Sequence, residues 1–150
     1  MGLGAGRARW LVLVAALGLA LVAVWRLEAG RAGLEITALD VGGTPATVWR
    51  LPGAAPAPAV IIAHGFAGSR QLMEGFAQTL ARAGYVAVTY DLMGHGRNPV
   101  PMSGDVTVIE GTTTLLMDEL ARVTGAALAL PGVDGRAALV GHSMASDIVV

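Results

Sequence analysis

The chain contains no cysteine and no lysine. Without cysteine there is no disulfide, no thiolate nucleophile and no cysteine-based metal site. Without lysine there is no lysine base and no Schiff base; all ten basic residues are arginine. Charge is nearly balanced, at −1, so no basic surface invites nucleic acid. The three histidines, His64, His95 and His142, show no paired ligand spacing, and neither a metal nor a cofactor is expected. There is no internal repeat. What remains is a chain of 150 residues, 54% of them apolar, which suits one domain at most.

One long run carries no charge: Trp10 to Trp25, sixteen residues. Residues 1–9 before it are small and basic, with Arg7 and Arg9, and Arg26 follows it. A spanning helix needs about 17–25 apolar residues, so the run is slightly short. Flanking arginines extend it by snorkelling, and a tryptophan at each end suits the two interfaces. Three readings compete over 10–27: an uncleaved signal-anchor helix, a cleaved signal peptide and a buried core helix. Trp25-Arg26-Leu27-Glu28 is a poor small-residue cleavage site. The basic start and tryptophan ends fit a core helix badly, so the signal anchor is preferred. The lipid bilayer is then a partner, with a single pass and the domain on the extracytoplasmic side. The positive-inside count is almost balanced and specifies that orientation weakly.

From residue 34 the pattern changes. Leu34–Asp40 and Thr47–Leu51 alternate partly, with Gly42-Gly43-Thr44-Pro45 between them, and read as a β-hairpin. Pro52–Pro58 reads as a connector. Ala59–Ala63 and Tyr85–Tyr90 are short apolar runs of the kind buried on both faces of a sheet. Between them, Leu72, Phe76, Leu80 and Ala83 have helical spacing, and Gly84 stops the helix. A second helix is expected over about 112–130, with Leu116, Leu120, Val123, Ala127 and Leu130 on one face and Thr112 or Thr113 as cap. Ala137–Val140 is a last strand. Alternating strands and helices predict an α/β fold with a mostly parallel sheet behind the hairpin.

Each strand after the hairpin ends in a glycine-bearing motif. His64-Gly65-Phe66 follows the first, Asp91-Leu92-Met93-Gly94-His95-Gly96 the second and Gly141-His142-Ser143-Met144-Ala145 the third. A serine between small residues at a strand-to-helix junction is the sequence form of a nucleophile elbow. Together, in this order, the three motifs resemble the α/β-hydrolase superfamily, over about residues 34–150. The elbow departs from G-x-S-x-G at Ala145, where alanine is still small.

The resemblance implies roles. Ser143 matches the nucleophile, activated by a histidine that a carboxylate orients. The backbone N–H groups of Phe66 and Met144 match the oxyanion hole. His64, Gly65, Asp91, Gly94, His95, Gly96, Gly141, His142 and Ala145 support the motifs. His64 and Asp91 are read as braces of their loops, and His95 as loop structure rather than base. Asp118 and Glu119 read as a solvated helix face. In this family acid and histidine follow the serine, so neither is expected within these 150 residues, which alone are expected to be inactive and poorly stable.

Two functions follow. One is a membrane-anchored serine hydrolase acting on a small acyl or peptidyl substrate: an ester, thioester or amide. The other is a non-catalytic anchored remnant or binding module that keeps the elbow without a working triad.

Overall fold

The computed structural model describes residues 3–105 and 107–149. Met1, Gly2, Val106 and Val150 lie outside them, and with them the outer ends of the segments read as 1–9 and 34–150. The chain divides into two units, 1–32 and 33–150.

The first unit is one helix, α1 (Leu3–Arg31). The most apolar 18-residue window within residues 6–31 has a mean hydropathy of 2.2, and none of it is buried. Among the described residues it is the one helix long and apolar enough to cross a membrane. The 26 residues 6–31, at 1.5 Å each, reach about 39 Å, more than the hydrocarbon thickness of about 30 Å. The helix exceeds the Trp10–Trp25 run because Arg26–Arg31 continue it, with Glu28 and Arg31 paired at 3.3 Å one turn apart.

The second unit is built on a five-stranded sheet. The strands are β1 (Glu35–Val41), β2 (Thr44–Arg50), β3 (Ala57–Ala63), β4 (Val86–Tyr90) and β5 (Val133–Gly141), in the spatial order β1-β2-β4-β3-β5. β3 pairs in parallel with β4 and β5, while β1–β2 and β2–β4 are antiparallel, so the sheet is mixed. The hairpin is tighter than its four-residue turn signal suggests. Val41 pairs with Thr44, and Gly42-Gly43 alone make the turn, both at positive φ, as a two-residue hairpin requires. β3 begins inside the expected connector, and Pro58 sits at a register shift between Ala57 and Ala59, where a missing N–H is tolerated.

Strand alternation divides the core in two. Ala59, Ile61 and Ala63 of β3 face one cluster with Val86, Val88 and Tyr90; Val60 and Ile62 face the other with Ala87 and Trp49. The first cluster is covered by α3 (Thr114–Leu128) through Leu116, Leu120, Val123 and Ala127, the stripe the spacing predicts. The second is covered by a 3-10 turn (Arg70–Met73) and α2 (Glu74–Arg82). There the buried face differs from the expected one. Met73, Ala77 and Ala81 are buried, whereas Leu72 and Phe76 are 66% and 55% exposed. The alanines let the helix lie close on the sheet, and the large side chains one position earlier then point outward.

Two further expectations are corrected. Thr113 is the N-cap of α3 without a side-chain cap bond, and the Thr112 hydroxyl instead donates to Ser103 O at 2.9 Å. Glu119 is not on the solvated face: it is 2% exposed, while Asp118 beside it is exposed. β5, an edge of the sheet, is mostly exposed along its length despite its apolar run.

Candidate active site

Register places the three motifs side by side. Ala63, the last residue of β3, pairs with Tyr90 of β4 on one flank and Gly141 of β5 on the other. The chain therefore leaves the sheet at one row, into His64, Asp91 and His142. The carboxyl ends of parallel strands are where open α/β sheets bind ligands.

At the third exit the turn is tight. Ser143 has φ of +55°, one of two described non-glycine residues in that region, a costly conformation for a side-chain-bearing residue. A Cβ at Gly141 would overlap the Ala145 carbonyl, so only glycine fits there. Ala145 is fully buried, and a 3-10 helix (Ser143–Ile148) follows. Ser143 itself is exposed. Met144 follows it, half-buried against the α3-side core.

The first exit lies against the third. A Cβ at Gly65 would stand 2.8 Å from Ser143 Cβ and 3.0 Å from His142 O, so glycine is what lets this loop approach the elbow. Ala67 is the second non-glycine residue at positive φ, +55°. Phe66 is 75% exposed, its ring edge-on to His95 at 5.7 Å between centroids. His64 is fully buried. Leu92 N–H donates to its Nε2 at 3.1 Å, so Nδ1 carries the proton and donates to Gly65 O at 2.8 Å. Burial, the main cause, holds this imidazole below its ordinary pKa, consistent with a neutral brace.

The second exit is held by carboxylates. Asp91, fully buried, accepts from Arg70 N–H at 2.7 Å and Arg97 N–H at 2.9 Å, and pairs with the Arg70 guanidinium. Glu119 accepts from Thr44 Oγ1 at 2.9 Å, Asn98 Nδ2 at 2.7 Å and Met93 N–H at 2.9 Å. His95 Nδ1 donates to Met93 O at 2.9 Å. Gly94 and Gly96 have φ of +73° and +55°; a Cβ would press on Met102 at the first and overlap the Asp91 carboxylate at the second.

A cavity of about 360 Å³ opens beside the elbow, lined by Phe66, Met144, Leu116, Ile148, Thr112 and Asp147 among others. Another, of about 230 Å³, lies at the opposite end of the sheet near Arg50, Gly53 and Gly84, away from every motif. Among the described residues no side chain hydrogen-bonds the Ser143 hydroxyl; Ser146 Oγ donates to the Ser143 carbonyl instead. His142 is exposed next to the serine, and its Nδ1 lies beside Gly65.

Sequence reading missed Arg70 and the burial of Glu119. Position carries a signal for the second: Glu119 stands three residues after Leu116 and four before Val123, inside the apolar stripe. Arg70 carries none, because its partner is 21 residues away.

A family model for the alpha/beta hydrolase fold matches residues 58–150, and the chain belongs to that family. No curated protein matches the chain. Among solved structures it is similar to a bacterial membrane phospholipase A, a virulence factor, at 25% identity and a TM-score of 0.58, covering 95% of this chain and 44% of that one. It is also similar to the thioesterase domain of the curacin biosynthetic pathway, at 29% identity and a TM-score of 0.51, covering 75% and 38%. An epoxide hydrolase from an endophytic Streptomyces matches at 26% identity and a TM-score of 0.54, covering 78% and 32%. The chain thus spans less than half the length of each.

Proposed function

We propose that this chain carries the nucleophile and oxyanion hole of a membrane-anchored serine hydrolase. The observation that carries the reading is Ser143: exposed, at positive φ on the turn after β5, with Gly65 packed against it. Ser143 Oγ, its proton taken by a histidine, attacks the carbonyl of an ester, thioester or amide; the tetrahedral oxyanion collapses to an acyl-enzyme as the alcohol, thiol or amine leaves with that proton, and water then hydrolyses the acyl-enzyme. Phe66 and Met144 N–H groups stabilise the oxyanion. The activating histidine and its carboxylate come from other parts of the full-length protein, as family chain order implies. The cavity lined by Phe66, Leu116, Met144 and Ile148 suits an apolar acyl group. Similarity to a membrane phospholipase A and a thioesterase supports acyl chemistry. Helix α1 anchors the protein in the bilayer, with residues 33–150 on the extracytoplasmic side.

A fluorophosphonate probe on the full-length protein tests this. Wild type is expected to label covalently, and Ser143→Ala to lose labelling and to drop kcat on the order of 10⁶-fold. A folded wild type that neither labels nor hydrolyses esters makes the protein a non-catalytic binding remnant instead.

A further inference from the structure

Asp91 takes no part in the reaction above, yet its charge is buried completely. A buried carboxylate needs partners, and those of Asp91 come from two different loops. Oδ1 accepts from Arg70 N–H, which closes the His64–Ser69 loop. Oδ2 accepts from Arg97 N–H, on the Leu92–Asn98 loop, and pairs with the Arg70 guanidinium. The His64–Ser69 loop is also held at its start, where Leu92 N–H donates to His64 Nε2. Both ends of this loop are therefore tied to neighbouring residues, 91 and 92. Phe66 and Ala67 bridge the interval, closed by a Gly68 N–H to Gly65 O bond of 3.0 Å.

Glu119 offers a control within the same structure. It is as buried as Asp91 to within 2% and braces the Leu92–Asn98 loop through Met93 and Asn98. Its third donor is Thr44 of β2. None of its partners lies on the His64–Ser69 loop.

We propose that Asp91 is a positioning residue for the oxyanion hole, which aims Phe66 N–H by clasping Arg70. This rests on the roles given to Ser143 and Phe66 above. An oxyanion donor works only when held within about 0.5 Å of its productive place, and a loop of six residues tied at one end does not meet that tolerance. Gly96 belongs to the device: its missing Cβ is the space the Asp91 carboxylate occupies.

The test uses the full-length protein and a p-nitrophenyl ester, with rates divided by active sites titrated to completion with fluorophosphonate. Asp91→Asn puts an amide N–H₂ in place of one carboxylate oxygen, where either Arg70 N–H at Oδ1 or Arg97 N–H and the Arg70 guanidinium at Oδ2 need an acceptor. It is expected to lower kcat per titrated site by up to about 10²-fold, with KM changed less than about twofold. Affinity for a trifluoromethyl ketone, which binds as an oxyanion, falls by the same factor. Arg70→Met reproduces the effect more weakly, since the backbone N–H bond remains. Glu119→Gln lowers the thermal midpoint and leaves kcat per titrated site within about twofold of wild type.

Unchanged kcat per titrated site in Asp91→Asn overturns the proposal, and so does an equal drop in Glu119→Gln. Should Asp91→Asn fail to fold, Arg70→Met decides by the same readout. If wild type neither labels nor turns over, the reading of Ser143 fails, and amide hydrogen exchange judges the clasp alone. Faster exchange at Gly68 in Asp91→Asn than in Glu119→Gln supports it; equal exchange overturns it.

Discussion

At the carboxyl ends of β3, β4 and β5 lie all the buried histidines and carboxylates of the described chain: His64, Asp91, His95 and Glu119. Both non-glycine residues at positive φ, Ala67 and Ser143, are there too. The amino ends of the same strands are built otherwise. Their turns use glycine wherever φ is positive, at Gly53, Gly84 and Gly132. The ion pairs at that end of the sheet stay partly exposed: Arg50 of β2 with Glu35 of β1, with side chains 28% and 37% accessible, and Arg136 with Asp134 of β5, at 74% and 18%. Buried charge and unfavourable backbone cost stability, so their concentration at one end marks where geometry, rather than stability, was the constraint. The contrast says that substitutions that shift the His64–Ser69 loop or the Ser143 turn should change chemistry, and substitutions at the other end should change little.

Gly65→Ala tests the contrast hardest. Its new Cβ would stand 2.8 Å from Ser143 Cβ, so the His64–Ser69 loop or the Ser143 turn must shift. A displacement near 1 Å is expected to lower kcat per titrated site by about 10²-fold, measured on the full-length protein. Wild-type turnover in this variant would mean that the close approach of the two loops is not what sets the site.

A smaller effect is expected from acid. Burial lowers the pKa of His64, and protonating Nε2 would break its bond from Leu92 N–H. A depressed folded-state value contributes stability that is fully present above the unfolded value, about 6.5, and is lost as pH falls through the folded one. Urea midpoints should therefore decline as pH falls below about 6.5, with a flatter profile in His64→Gln. Equal slopes would assign the acid sensitivity elsewhere.

Glu35→Gln, at the opposite end, should do least. An exposed pair contributes little, and the thermal midpoint is expected to move by no more than about 3 °C with kcat unchanged. The hydrogen bond to Arg50 lowers the Glu35 pKa, so what the pair adds is present above the ordinary value of 4.5 and lost in acid. A fall in kcat here would break the division between the two ends.

Much of the fold is legible in the amino-acid pattern. The α3 stripe at Leu116, Leu120, Val123 and Ala127 reads directly from spacing, because a helix presents every third or fourth residue to one side. The elbow motif is equally plain, since its small residues answer a local steric demand at Gly141 and Ala145. The burial of α2 is not. Leu72 and Phe76 are the larger apolar residues, yet the sheet takes Met73, Ala77 and Ala81, because close approach of helix and sheet favours alanine over leucine at that surface.

Sequence by itself determined which residues stand just past the carboxyl ends of β3, β4 and β5, and that a serine would stand on a turn too tight for a side chain at Gly141. Those are demands within a few residues of chain, and local sterics enforce them. The tertiary structure alone decided that His64, Asp91 and His142 leave the sheet in one row, and that Arg70 neutralises Asp91. It also decided that Glu119 turns inward to the same loop. Each depends on the pairing of Ala63 with Tyr90 and Gly141. A charge is buried only where a partner from elsewhere in the chain meets it, and no local pattern records that meeting.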